Sequence, residues 1–104
     1  MARLSWRALL ALPLLAACGP DYAESQVEVG RQNCRLMDAC GGLESIGYTL
    51  DECIAAAEAQ DFDEEAQCPD YVPRQMQECL DAWADAVALD QCDADLSDVC
   101  RVCG

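Results

Sequence analysis

A chain of 104 residues carries 20 acidic side chains, six arginines and no histidine, which gives a formal net charge of −14. A surface this acidic repels polyanions, so we expect no nucleic-acid partner. The lack of histidine removes the commonest general base and the usual catalytic triads. No other catalytic set stands out in the sequence, so we expect neither an enzymatic activity nor a cofactor.

The N-terminal segment is typical of an export signal. Arg3 and Arg7 precede the apolar run ALLALPLLAA, which ends in small residues. This run is about half of the roughly 20 residues that a membrane-spanning helix needs, and Pro13 interrupts it. A charged start, a short apolar segment and a small-residue end together predict a signal peptide over residues 1–17.

A more specific motif closes that run, with a large aliphatic residue, two small ones and a cysteine: Leu15-Ala16-Ala17-Cys18. The motif resembles the lipobox of bacterial lipoproteins. The resemblance implies that Cys18 receives a lipid, becomes the first mature residue after cleavage and attaches the chain to a membrane of the bacterial cell envelope. In that family an Asp at the next position favours inner-membrane retention, so Gly19 favours the outer membrane. Residues 18–24 would form a lipidated tether.

Beyond residue 17 the chain has little material for an apolar core. Leucine, isoleucine, valine and phenylalanine number fifteen there, about 17% of that part. A content below about 20% with a high net charge ordinarily indicates disorder. Nine cysteines, about 10% of the same part, are instead typical of a disulfide-stapled exported domain. We therefore expect bridges to substitute for a larger core.

The first two predicted helices follow from capping signals. Ser25 is a suitable N-cap, and apolar residues then recur at helical spacing, which predicts helix 1 over residues 26–40. Thr49 and Glu52 form a capping box, in which each side chain bonds to the other residue's free amide. The alanine-rich stretch that follows predicts helix 2 over residues 50–60.

Helix 3 has the clearest pattern, and we expect it over residues 73–88. Pro73 suits a first helical turn. One face of the predicted helix then carries Met76, Cys79, Leu80, Trp83 and Val87. The remaining residues have room for only a short turn, and nothing alternates like a strand. The sequence thus predicts an all-α fold, a disulfide-stapled bundle of about three helices within a domain over residues 25–104.

Setting the lipobox cysteine aside leaves an even number of cysteines, and we expect all of them in bridges: Cys34, Cys40, Cys53, Cys68, Cys79, Cys92, Cys100 and Cys103. Eight cysteines permit 105 pairings, so the sequence alone selects none of them. The helix lengths favour a bridge between Cys53 and Cys68, across helix 2 and its return. They also favour Cys79 with Cys100 or Cys103.

Two further expectations concern the helix ends. Cys40, at the end of helix 1, could instead meet Cys53 near the start of helix 2, and the choice stays open at this stage. Cys79 lies about 14 Å along the axis from the predicted end of helix 3. Because only a short stretch of chain follows that end, a bridge between Cys79 and Cys92 is disfavoured.

A second functional class, thiol-redox or metal handling, remains as an alternative. Cys100 and Cys103 have the C-x-x-C spacing of thiol oxidoreductases, but the strand and following helix of such sites are not predicted. Four cysteines could bind zinc, although exported cysteines oxidise more readily. Calcium could bind acidic loops, yet neither candidate has the glycine or register of an EF-hand. The acidic clusters are Asp61, Asp63, Glu64 and Glu65, and Asp90, Asp93, Asp95 and Asp98.

In overall pattern the chain resembles the small, cysteine-rich, acidic lipoproteins that some bacteria encode in large numbers. That resemblance implies residence in the envelope and no particular activity. We therefore expect a non-enzymatic, lipid-anchored protein whose rigid helical module binds a protein partner or contributes to surface structure. The charge favours an uncharged or cationic partner over an anionic one.

Overall fold

The computed structural model describes residues 19–104. Within this range the chain forms five helices and no strand: α1 (Tyr22–Ala39), α2 (Gly42–Ile46), α3 (Leu50–Glu58), α4 (Glu64–Gln67) and α5 (Pro73–Ala88). Three of them, α1, α3 and α5, are the main helices. The predicted all-α fold with about three helices is confirmed.

Helix α1 begins earlier than the sequence predicted. Asp21, rather than Ser25, is the N-cap, and its carboxylate accepts a hydrogen bond of 2.9 Å from the Glu24 amide. Ser25 lies inside the helix and is buried. Tyr22 is buried in the core, so the first turn of α1 packs as part of the domain. Residues 22–24, predicted to belong to the tether, are therefore helical.

The capping box at the start of α3 is confirmed. The Thr49 hydroxyl accepts a hydrogen bond of 3.1 Å from the Glu52 amide, and the Glu52 carboxylate accepts one of 2.9 Å from the Thr49 amide. The helix ends at Glu58, slightly before the predicted end. The short helix α2 was not predicted, because it is too brief to show a hydrophobic period.

Helix α1 lies at the centre, between α3 and α5. It runs antiparallel to α3: Cys34 is bridged to Cys53, and one turn earlier the Arg31 guanidinium lies 2.9 Å from a Glu58 carboxylate oxygen. The two helices approach closely at Gly30, where an added Cβ would lie only 3.0 Å from the Ala57 Cβ. A glycine at this position therefore allows the two backbones to pack together.

Helix α5 runs parallel to α1. The Tyr22 and Tyr71 rings, at the starts of the two helices, pack edge to face with centroids 5.3 Å apart. Cys40 and Cys92, just past their ends, are bridged. The bounds of α5 are those predicted, and its predicted apolar face points inward, with Met76 almost fully buried.

The C-terminal segment closes the core. The core cluster consists of Tyr22, Cys68, Met76, Cys79 and Val102. The Val102 carbonyl accepts a hydrogen bond of 2.8 Å from the Val72 amide, and the Val99 carbonyl accepts one of 2.6 Å from the Gln75 side chain. These hydrogen bonds and the two bridges of Cys100 and Cys103 therefore hold this segment, which has no regular helix, against the start of α5.

Helix α2 offers a matched pair of substitutions that tests this packing. Leu43 is 1% exposed and Ile46 is 60% exposed. We expect Leu43→Ala to lower the free energy of unfolding by about 2–5 kcal/mol, because it leaves a cavity. The control Ile46→Ala should stay within about 0.5 kcal/mol of wild type. Denaturant unfolding measures both, and equal losses would contradict the packing described.

The capping box makes a prediction about pH. Hydrogen bonds from the backbone and side chain of Thr49 lower the pKa of Glu52 below its ordinary value of 4.5. A carboxylate whose pKa is lowered by folding stabilises the fold at pH values above its pKa in the unfolded chain. That contribution is lost as the pH falls through its pKa in the folded protein. Glu52→Gln removes this titration and keeps an acceptor. The stability difference between wild type and Glu52→Gln should therefore fall below about pH 4.5. A constant difference across the acid range would contradict it.

Candidate functional site

The predicted attachment residue, Cys18, and the signal peptide before it lie outside the described residues. The described chain begins one residue later, and Gly19 already packs against the domain. Its φ is +69°, in the left-handed region, and a Cβ added there would collide with the Cβ of Pro73. Only glycine meets both conditions without strain.

Tyr71 fixes the next residue. Its hydroxyl donates a hydrogen bond of 2.6 Å to the Pro20 carbonyl. Burial raises the pKa of Tyr71 above its ordinary value, and the negative charges of Glu64 and Asp21 raise it further. A hydrogen bond with Ser25 has the opposite effect, but the net shift is upward. The phenol therefore stays protonated and able to donate at physiological pH. We call residues 19–20 and 71–74 the attachment end of the molecule, because the predicted attachment residue Cys18 directly precedes Gly19 in the sequence.

The described cysteines form four bridges, all at bonding distance: Cys34–Cys53, Cys40–Cys92, Cys68–Cys103 and Cys79–Cys100. Cys79–Cys100 is one of the two pairings that the helix lengths favoured for Cys79, and Cys92 is not its partner. No cysteine between residues 19 and 104 is left without a partner.

The predicted Cys53–Cys68 bridge is wrong, and so is the alternative between Cys40 and Cys53. Helix α3 lies along α1, so Cys53 faces Cys34 and not the segment that follows α3. That segment runs back to the start of α5, where Cys68 is fully buried and bridged to Cys103. The prediction paired the cysteine of each helix with one in the chain segment that follows that helix. It therefore missed a bridge between neighbouring helices.

The C-x-x-C motif is divided between two bridges. Cys100 is bonded to Cys79 and Cys103 to Cys68, so the two cysteines of the motif do not form a bond with each other. Reversible opening of a bond between the two motif sulfurs is the reaction that thiol oxidoreductases use. This arrangement places both motif cysteines in the cross-links of the core instead.

Each acidic cluster contains a carboxylate that accepts hydrogen bonds from its own loop. The Asp63 carboxylate caps α4 by accepting from the Glu65 amide at 3.1 Å. The hydroxyl and amide of Ser97 hydrogen-bond to Asp95 and lower its pKa. In the part of the chain that the structure describes, no three Cys, Asp or Glu side chains converge so that they could hold a metal ion.

Three large apolar side chains are exposed at the other end of the molecule: Ile46 (60%), Tyr48 (52%) and Leu89 (67%). Two of them follow the end of α1, and the third is the C-cap of α5. We call these three residues the distal surface. The sequence did not predict it, because isolated apolar residues near helix ends show no period.

Comparison of the chain with protein families, characterised proteins and solved structures finds no match. None of the helices in residues 19–104 is both long enough and apolar enough to cross a bilayer.

Peptide mass mapping without reduction tests the framework. We expect alkylation of the native protein to modify none of the eight cysteines from Cys34 to Cys103, because all are bridged. Proteolysis should then release the four linked peptide pairs named above. Two reactive thiols at Cys100 and Cys103, or a bond between them, would contradict the structure and favour the thiol-redox alternative.

Proposed function

We propose that this chain is a lipid-anchored, non-enzymatic protein of the bacterial cell envelope, whose rigid helical module binds a protein partner or contributes to surface structure. One observation carries the proposal: the eight cysteines of the described residues are bonded to one another. None of them has a thiol left for Cys18. That cysteine therefore serves a different purpose, and the lipobox that it completes supplies one.

The disulfide framework supports an exported location. Disulfides persist in oxidising compartments such as the bacterial envelope and are rare in the cytosol. The bridges join cysteines that lie 19, 52, 35 and 21 residues apart in the chain. Each such cross-link typically stabilises a small domain by about 2–4 kcal/mol. A rigid module of this kind suits a binding or structural role in the envelope, and Gly19 after the lipobox favours the outer membrane.

Charge supports attachment through lipid alone. Twenty acidic and four basic side chains lie after residue 17, a net charge of about −16. Such a surface gives no electrostatic attraction to anionic head groups. Two or more acyl chains, each contributing about 0.8 kcal/mol per buried methylene, anchor a protein stably without that attraction. The same charge favours an uncharged or cationic protein partner.

The alternative of thiol-redox or metal handling has less support. It needs either a C-x-x-C pair that can open and close by itself or a group of converging ligands. The Cys100 and Cys103 sulfurs are bonded to different buried cysteines. The acidic side chains nearest to the calcium pattern act as helix and turn caps.

Replacing the lipobox cysteine tests the proposal. Cys18→Ser should abolish incorporation of a labelled fatty acid and move the protein from the membrane fraction to the soluble fraction, because the thiol is the acceptor of the lipid. The double variant Cys40→Ser, Cys92→Ser is a matched control: it removes two cysteines from the most exposed bridge and should still be labelled. An unlabelled wild type, or a Cys18→Ser variant that stays on membranes, would contradict the proposal.

A further inference from the structure

The connection between Cys18 and the folded domain is very short. Pro20 is bonded to Tyr71, and Gly19 packs on Pro73. Because consecutive Cα atoms lie 3.8 Å apart, the Cα of Cys18 lies within roughly 8 Å of the Cα of Pro20. An acyl chain on Cys18 would therefore emerge directly at the attachment end, and the domain could not drift away from the membrane on a flexible tether.

The long axis of the domain leads away from that point. Helices α1 and α5 are parallel and both start at the attachment end. At 1.5 Å per residue, their 18 and 16 residues span about 27 and 24 Å. The distal surface lies where these helices finish, roughly 25 Å from the attachment end.

The sides of the molecule are unfavourable contacts for an anionic lipid surface. The three main helices carry nine acidic residues: Glu24, Glu28, Asp38, Asp51, Glu52, Glu58, Glu78, Asp81 and Asp85. On these helices Arg31 and Arg35 already form ion pairs with Glu28, and Arg31 also with Glu58. Charges interact appreciably only within about 8 Å at physiological ionic strength. A domain that lies flat on the membrane brings these carboxylates within that distance of the lipid phosphates, whereas a domain that stands end-on keeps most of them farther away.

The attachment end differs in its basic residue. Arg74, on the first turn of α5, is exposed and forms no ion pair with another described residue. Asp21 and Asp70 adjoin this end in the sequence, and the charge of Glu64 also acts on Tyr71, so Arg74 offsets only part of the local negative charge. Val72 beside Arg74 is 39% exposed and adds an apolar contact.

We propose that the anchored domain stands end-on, with the attachment end against the lipid head groups and the distal surface held outward, roughly 25 Å from them. This inference rests on the proposed lipid attachment at Cys18. It assigns the lipid surface as the partner of residues 19–20 and 71–74. It leaves Ile46, Tyr48 and Leu89 as the apolar residues that face away from the membrane.

Tryptophan fluorescence on vesicles tests the orientation. Trp83 is the only tryptophan after residue 17, so Trp83→Phe gives a silent background. In that background, Val72→Trp or Arg74→Trp reports on the attachment end, and Tyr48→Trp or Leu89→Trp on the distal surface. All four positions are exposed, which limits disturbance of the core. The lipidated variants are placed on phosphatidylcholine–phosphatidylglycerol vesicles that contain a lipid with a nitroxide on its head group.

We expect quenching several-fold stronger at positions 72 and 74 than at positions 48 and 89. Equal quenching at the two ends of vesicle-bound protein, or stronger quenching at the distal surface, would overturn the inference and leave the lipid anchor intact. If the wild-type protein carries no covalent lipid, or if the Cys18→Ser protein still binds the vesicles, the proposed function is overturned instead. The two failures are thus distinguishable.

A longer tether is the matched control. Twelve glycine and serine residues inserted between Cys18 and Gly19 keep the lipobox and both contacts of the attachment end. A linker of this kind spans roughly 20 Å. The domain should then tumble, and the difference in quenching between the two ends should largely disappear. An undiminished difference would show that the short connection does not set the orientation, and would overturn the inference.

Discussion

The fold depends on two sulfur bridges that each include a buried cysteine, Cys68–Cys103 and Cys79–Cys100. Cys68 and Cys79 are 0% and 1% exposed, and they belong to the core cluster with Tyr22, Met76 and Val102. Cysteine packs as a small apolar residue, so these two provide core volume as well as covalent links. In a chain with so few large apolar residues, the same atoms therefore perform two tasks that larger proteins divide between separate residues.

These bridges also oppose the repulsion between carboxylates. A net charge of about −16 beyond residue 17 disfavours any compact state of so small a domain. The ion pair between Arg31 and Glu58 joins α1 to α3, and hydrogen bonds with Glu58 and Glu28 raise the pKa of Arg31. Both partners are substantially exposed, however, and such pairs contribute little in water. Covalent closure of the chain is insensitive to charge and salt, which suits an acidic domain.

Local signals in the sequence predicted the parts of the fold that local interactions determine. The Thr49–Glu52 capping box and the extent of α5 are such parts. The start of α1 was predicted wrongly, because the choice between Asp21 and Ser25 as N-cap depends on where Tyr22 finds a core. The bridges to Cys53 and Cys68 were predicted wrongly for a similar reason. These bridges depend on which helices and segments are neighbours in the fold, and the sequence of a single helix does not specify its neighbours.

The order of the cysteines along the chain sets an order of events in folding. The two cysteines of the core cluster, Cys68 and Cys79, bond to partners that follow them by 35 and 21 residues. A chain that crosses a membrane from its N-terminus therefore reaches the far side with its core still open. The core can close only when residues 100–103 are present, so such a chain can form its native core only after these residues have crossed.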